Sequence, residues 1–583
     1  MNLYNYFKEE IIKIIETLIS EDKLKATLDL SKITVDPPKD PSHGDLATNA
    51  AMVLAKEARL SPVDLAKMIV PLLQKHKDIE KVSTAGPGFI NMSMKDSFWA
   101  EQLKHILKAG IHYGDSTLGK GETVNVEYVS ANPTGPLHIG HCRGAIVGDI
   151  LCSLLEKAGY KVIKEYYIND SGGQAKQLAH SVYQRYLEAL GHPPSEIVAY
   201  AGSYLIPVGE ELAKIHGDKW VGQGEEVWLE PIRTFGVDAM MKLIREDLEA
   251  LNIHQDVFTS EYQIALDGKV EEAFQALEKK GFIYRGMLEP PKGKTPEDWE
   301  PRVQTLFKAT QFDDDVDRPL KKSDGSWTYF ANDIAYHYDK YKRGATTLID
   351  VLGADHGGYV KRISAAVKAF TDGKATVDVK ICQIVHFMHK GETLKMSKRA
   401  GVFVTVKEAI EKVGRDVIRF MMVTRKNDAP MEFDFEKAIE QTRENPVFYV
   451  QYAHARCHSV KRHLLQTYPD LDISSPVLSN LDLLVLLKDP DEAALIRLLA
   501  SWPKQIEAAA IAHEPHRIAF YLYEVAAAFH GLWNKGKEDH ELRFILPEDS
   551  FKTQKRYALI QAVMTIIASG LLVLGVNPLE EMR

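Results

Sequence analysis

Residues 131–150 read ANPTGPLHIGHCRGAIVGDI, with His138 and His141 three positions apart just behind a turn rich in proline and glycine. TVNVEYVS, ahead of the turn, has the pattern of a strand, and LHIGHCRGAIVGDIL starts a helix. The pair therefore falls at a helix N-terminus, where residues at i and i+3 share a face. Backbone donors and the helix dipole favour an anion there. Two imidazoles beside them would grip phosphate oxygens, and Gly140 would let a flat base or a ribose approach the backbone. The residues alone also leave open metal ligation or plain surface decoration, although a metal would lack a third ligand nearby.

The flanking pattern supplies a scaffold. KVIKEYYI reads as the next strand, NDSGGQ caps a further helix, and TTLIDVL, GADHGGYVKRISAAVKAF and DVKICQIVHFM continue the alternation. Strands alternating with helices predict an α/β fold with a Rossmann-like parallel sheet over residues 116–440. From about 190 to 327 the rhythm breaks into helical stretches, the loop EPPKGKTPEDWEP and a hairpin around KKSDGSW, together read as largely an insertion between two halves of the sheet. Residues 1–115, with the strand GPGFINMSM, form a smaller N-terminal α/β module. Residues 441–583 are helical in pattern throughout and predict an all-α C-terminal domain.

At 583 residues and 45% hydrophobic content the chain can build several cores, about three to four domains at roughly 150 residues each. The net charge of −9 excludes a globally basic surface, so a nucleic-acid partner must be met by local patches. Cys142, Cys152, Cys382 and Cys457 form no CxxC pair, which argues against a zinc knuckle and a disulfide framework. No protein-bound metal is expected. The N-terminal stretch is amphipathic rather than a signal peptide, and the chain reads as cytoplasmic. YALIQAVMTIIASGLLVLGV, from Tyr557, is apolar enough to span a bilayer. Polar interruptions and the following Asn577-Pro578 favour a buried bundle helix, so no membrane partner is expected.

Two further motifs are weighed against plainer readings. GDSTLGKG, Gly114 to Gly121, nearly spells a phosphate loop, but a Gly stands where the metal-binding hydroxyl belongs and a strand follows where a helix is required. DDDVD, Asp313 to Asp317, could take magnesium, with a solvated loop the preferred reading.

HIGH after a strand and turn resembles the first signature of the class I aminoacyl-tRNA synthetases. Their second, a KMSKS loop, is matched far downstream by Lys395, Met396, Ser397 and Lys398, with Arg399 in place of the last Ser. VEYVSANPTGPLHIGHCRGAIVGD, YYINDSGGQ, WTYFANDIAYHYDKY, GADHGGYVKRI, MSKRAGVFVTV and NPVFYVQYAHAR together resemble arginyl-tRNA synthetases over essentially the whole chain. The resemblance implies ligation of L-arginine to tRNA(Arg) through an arginyl-adenylate, using ATP with Mg²⁺, by a monomer whose activation step waits for bound tRNA. It implies His138, His141, Lys395 and Lys398 as catalytic, and His138, Gly140, His141, Gly353, Asp355, Met388 and Lys395 to Lys398 as ATP-binding. Backbone of the Phe387–Met388 region would meet adenine.

The implied arginine positions are Glu127, Ser130, Asn132, Tyr329 and Asp333. Acids of this kind suit a guanidinium, which pairs with planar carboxylates. The N-terminal module would contact the tRNA elbow and the helical domain the anticodon, with Tyr449, Tyr452, Arg456 and Lys461 meeting unstacked bases. A core-facing aromatic stripe is the plainer reading of that face. Lys340 to Gly344 and Thr424 to Asp428 are candidate tRNA-backbone contacts. The alternatives are a class I synthetase for another amino acid, a catalytically silent tRNA-binding relative, and a nucleotidyltransferase acting on a small metabolite.

Overall fold

Five strands in the middle of the chain pair side by side, all parallel: β1 (Thr123–Glu127), β2 (Lys161–Ile168), β3 (Val257–Ser260), β4 (Thr347–Gly353) and β5 (Thr376–Cys382). Their order is β5-β4-β1-β2-β3, so the winding reverses between β1 and β4. Open parallel sheets bind ligands at that switch point, outside the carboxyl ends of the strands. β1 and β4 are central and buried along most of their length, which a strand covered by helices on both faces requires. The computed structural model describes residues 2–25, 27–193, 199–288, 302–394 and 403–582.

Helix α1 (Cys142–Lys157) crosses from β1 to β2 with residues buried around most of its circumference. Gly148 permits this close approach, since a Cβ there would lie 2.3 Å from the Cβ of Tyr128. Helix α2 (Gly173–Ala189) follows β2, α3 (Tyr329–Lys342) precedes β4, and α4 (Tyr359–Thr371) crosses from β4 to β5. Strand β6 (Val385–His389) opens a small separate sheet with Glu392–Thr393 and Met431–Asp434. The chain divides into two units, Thr117–Gln441 with Glu514–His516, and Met1–Ser116 with Thr442–His513 and Arg517–Arg583.

One expectation needs correction. Residues 190–327, read as largely an insertion, also hold β3, the edge strand of the main sheet, and the helix Glu225–Ala250 that leads to it. What departs from the sheet comes after β3: two short helices and a three-stranded antiparallel sheet of Ile283–Gly286, Gln304–Phe307 and Arg318–Pro319. Strand β3 has only four residues, all half-buried, too short for a period to stand out from its helical flanks.

The other unit joins the two ends of the described chain. A four-stranded antiparallel sheet with helices, from the first 95 residues, shares this unit with the C-terminal helices α5 (Pro446–Thr467), α6 (His516–Glu538) and α7 (Ser550–Val573) and the shorter ones between them, and the helix Asp96–Ala109 packs against α7 and Pro490–Ala500. Glu507 ties the joint, accepting from Asn2 Nδ2 at 2.7 Å, Asn5 Nδ2 at 2.6 Å and Ser116 Oγ at 2.7 Å. Arg497 reaches Asp45 at 2.8 Å. Among the described residues α7 alone is long and apolar enough to cross a bilayer, and 83% of its apolar window is buried in the protein. The Gly114 to Gly121 stretch turns into β1 with no helix after it, so it forms no phosphate cradle.

Because the Gly148 contact is backbone-close, Gly148→Ala is expected to destabilise the central unit by about 1–3 kcal/mol through overpacking. Denaturant unfolding measures this, and an unchanged midpoint would show that α1 can lift off Tyr128 freely.

Candidate active site

The turn after β1 is strained. Val129 and Ser130 have φ of +70° and +38°, a region that β-branched and bulky residues avoid and that costs on the order of 1–3 kcal/mol each. Fixed partners hold it: Ser130 Oγ donates to Glu127 Oε1 at 3.0 Å and accepts from the Tyr167 N–H at 3.1 Å. Tyr166 Oη caps the Ala131 carbonyl at 2.6 Å.

The two histidines follow. They lie in a 3₁₀ turn, Ile139–His141, just before α1 begins at Cys142, one turn earlier than a plain helix start would place them. Their rings stack at 3.8 Å. Gly140 makes the stack possible, because a Cβ there would lie 2.9 Å from the His138 ring. The Gly140 N–H donates to His138 Nδ1 and the His138 N–H to His141 Nδ1, both at 3.2 Å. A nitrogen that accepts carries no proton, so each neutral ring bears its proton on Nε2. Backbone bonds tie this turn to the segment beyond the lysine motif: Ile139 N–H to the Val404 carbonyl at 3.0 Å and Val406 N–H to that of Leu137 at 3.1 Å. Lys395, Met396, Ser397 and Lys398 lie outside the described residues.

Gly140, His141, Gly353 and Asp355 line one cavity of about 410 Å³ between the ends of β1 and β4. Phe387 lines it too, whereas Met388 does not; Met388 Sδ instead accepts from Thr393 Oγ1 at 3.3 Å. Arg143, unremarked in the sequence, braces the floor by donating to the Gln383 and Lys426 carbonyls, both at 2.9 Å. Of the described lining residues only Asp355 is a carboxylate, too few for a resident magnesium site. Magnesium fits here as the ATP complex, bound chiefly through phosphates.

Beside the cavity three carboxylates stand abreast. Strand register sets Glu165 of β2 against Glu127 of β1, and Glu127 against Asp350 of β4. Helix α3 and its C-cap answer with three bases. Lys340 Nζ donates to Glu127 Oε2 at 2.8 Å and to Asp350 Oδ1 at 2.9 Å. Arg343 Nη2 lies 2.8 Å from both Glu165 oxygens. His337 Nε2 lies 2.8 Å from Asp350 Oδ2 and its Nδ1 2.8 Å from the Asp333 carbonyl. Both ring nitrogens face acceptors, the arrangement of an imidazolium. Burial raises the pKa of Asp350, but Lys340 and His337 outweigh it and hold the carboxyl well below its ordinary range.

Two acids remain outside this balance. Asp333 has no side-chain hydrogen bond or ion pair among the described residues. Burial, with repulsion from Glu261, Glu127 and Asp350, pushes its pKa up to about 7 although His337 pulls it down. Glu261, only 4% exposed, receives one hydrogen bond, from Asn332 Nδ2 at 2.9 Å. It sits just after β3, in the stretch read as insertion, where no local pattern pointed to it.

Of the expected substrate residues, Glu127, Ser130 and Asp333 thus gather in one place. Asn132 turns to Gln174 at 2.9 Å. Tyr329 is 66% exposed, with its ring 5.6 Å from Lys322 Nζ. The reading of Lys340 to Gly344 as a tRNA contact fails at Lys340, which is 0% exposed, and at Arg343, which is spent on Glu165. In the Thr424 to Asp428 stretch, Asn427 is stitched to the Ile381 carbonyl at 2.8 Å. Each carboxylate of Asp313, Asp314, Asp315 and Asp317 faces a protein donor, from Lys368, Arg318, Lys361 and Thr310.

On α5, Tyr449 is 9% exposed and packs on Tyr523 and His530, so it belongs to the core. Tyr452 faces outward, stacked on Phe448, with the Arg456 guanidinium 4.3 Å from its ring and 4.6 Å from that of Trp533. Trp533 lies on α6, far along the chain, and no local pattern links it to α5. Lys461 is half-buried one turn on.

A relative from Parvibaculum lavamentivorans, an arginine–tRNA ligase, is 55% identical with both chains covered in full. The chain belongs to the arginyl-tRNA synthetase family. An arginine–tRNA ligase from Rhodospirillum rubrum is 53% identical over the same full span. Family models match residues 2–94 as the arginyl tRNA synthetase N-terminal domain, 102–200 as the class I (R) catalytic domain, and 450–582 as the DALR anticodon binding domain. The solved arginyl-tRNA synthetase of Thermus thermophilus, 21% identical, superposes with a TM-score of 0.74 over the whole of both chains and so shares the fold.

Carbon-13 titration of the Asp333 carboxyl is expected to show a midpoint of about 7 in the free protein. His337→Gln, which removes the favourable charge, should move it higher. A wild-type midpoint of about 4, the ordinary aspartate value, would refute the unpaired-acid geometry.

Proposed function

We infer that the chain joins L-arginine to tRNA(Arg) in two steps, through an arginyl-adenylate. The observation that carries this is the pair of surplus acids, Asp333 and Glu261, beside a phosphate-type cavity in a chain of this family. Arginine brings a guanidinium and an α-ammonium, two positive charges for two unmatched carboxylates. An analogue without the guanidinium would leave an acid buried and unpaired, which is the strongest form of rejection a pocket has. Glu127 keeps lone pairs free of Lys340 and Ser130 and can accept a further donor.

The arginine carboxylate then attacks the α-phosphate of ATP and pyrophosphate leaves. No covalent nucleophile is needed, only positioning and stabilisation of moving charge. His138 and His141 would donate to the phosphates, with Lys395 and Lys398 as their cationic partners. Gly353 and Asp355 take the adenosine, the carboxylate suiting ribose hydroxyls. The second step passes arginine to the terminal ribose of the tRNA, and by family resemblance the first waits for tRNA to bind. The N-terminal module is assigned to the tRNA elbow, and Tyr452, Arg456 and Lys461, joined by Trp533, to the anticodon. We place the enzyme in the cytoplasm as a monomer with three domains, 1–115, 116–440 and 441–583.

Pyrophosphate exchange into ATP should occur with arginine among the twenty amino acids, and only with tRNA present. Exchange with another amino acid would overturn the substrate. His141→Ala should lower the exchange rate about a hundredfold, roughly 3 kcal/mol. Arginine binding requires Asp333 ionised, so below about pH 7 its affinity should fall about tenfold per unit, and Asp333→Asn should abolish that slope. Arg456→Ala should raise the KM for tRNA at unchanged arginine KM; an unchanged tRNA KM would remove this stack from the anticodon surface.

A further inference from the structure

The adenylate chemistry leaves the buried ammonium of Lys340 unused. We propose that Lys340 is a positioning residue that sets the charge of the arginine pocket: it neutralises Glu127 and Asp350 from beneath, so that Asp333 and Glu261 are the acids in excess that meet the substrate. This rests on the arginine-pocket reading above.

Lys340 is 0% exposed, so neither water nor tRNA reaches it, and its carbon stem is packed. Its Nζ lies 2.8 Å from Glu127 Oε2, 2.9 Å from Asp350 Oδ1 and 4.2 Å from the centre of the Tyr336 ring. Burial favours the neutral amine, but Asp350, Glu127 and Glu165 outweigh it and hold the ammonium charged. Lys340 and Ser130 grip the two oxygens of Glu127 separately, so this carboxylate cannot swing toward the guanidinium. Asp333 is faced by His337 on its own helix, and by Glu261, Glu127, Asp350, Tyr167 and Tyr359 from the elements packed against it.

Removing Lys340 subtracts one positive charge from that group. The pocket then takes up a proton, on Asp333 or on a neighbour, and arginine must displace it to bind. A lysine that only filled space would leave this proton count unchanged.

The test compares arginine and ATP KM across pH in pyrophosphate exchange with tRNA, using wild type, Lys340→Met, Lys340→Arg and Asp333→Asn. Lys340→Met should raise the arginine KM about tenfold at neutral pH and move the acid limb up by about one unit, with the ATP KM unchanged. Lys340→Arg, which keeps the charge, should restore the limb. A wild-type limb in folded Lys340→Met, an arginine variant as impaired as the methionine one, or arginine and ATP KM rising together would each overturn the proposal. Should Lys340→Met not fold, Lys340→Gln, which also removes the charge but keeps a hydrogen-bond donor, gives the same readout. Failure of both to fold also counts against it, since Lys340 would then hold the fold and not the pocket. If Asp333→Asn keeps wild-type arginine KM and slope, the pocket reading itself fails. If Asp333→Asn loses both while Lys340→Met behaves as wild type, only the role of Lys340 is lost.

Discussion

Three carboxylates side by side on neighbouring parallel strands repel one another, and the central sheet forms only because one helix brings three bases to meet them. Glu165, Glu127 and Asp350 are placed by register, and Arg343, Lys340 and His337 by the period of α3 and its cap. At spacings of three, four and seven residues, Asp333, His337 and Lys340 share one helical face, with Arg343 a turn further. A buried ion left without its partner costs about 3–5 kcal/mol. The sheet and α3 are therefore mutually obligatory, and the position of Asp333 follows from that docking.

The same docking accounts for the division of labour at the switch point. On one side lies the ionic floor with its two unmatched acids, and on the other a cavity lined by glycine backbone and imidazole. Between them run Val129 and Ser130, held in a backbone conformation that no isolated chain would choose. The strain turns the chain out of β1 sharply enough to leave Glu127 facing α3 while Gly140 and His141 line the cavity. The acids and the imidazole-lined cavity are thus kept a few residues apart on one turn.

Much of this was legible in the residues. The strand–turn–histidine spelling and the alternation behind the parallel sheet came from local pattern, and Glu127, Ser130 and Asp333 from the family resemblance. What escaped depends on pairing across long separations. Nothing in TYFANDIAYHYDKYKRG says that Lys340 is buried beneath Glu127, because the strand register that puts Glu127 there is set more than two hundred positions away. A cluster of lysine and arginine looks the same whether it faces tRNA or a buried acid. Glu261 was hidden by the brevity of β3, and Trp533 by its distance from α5. Tyr449 and Tyr452 stand three residues apart on one helix, yet only the packing of α6 decides which of them is core.

The joint at Glu507 has a consequence for biogenesis. Thr117 to Gln441 supplies nearly all of one unit as an unbroken stretch, free to fold as soon as it emerges from the ribosome. The N-terminal module has no such independence, since its apolar and polar contacts are completed by helices that follow Thr442. During synthesis it must wait, half-covered, while the whole central unit is made and folds. Helix α7, long and apolar enough to cross a bilayer, is also among the helices that follow Thr442. A ribosome stalled near Gln441 would thus release a well-formed catalytic sheet joined to a sticky, unfinished N-terminal module, a ready client for chaperones.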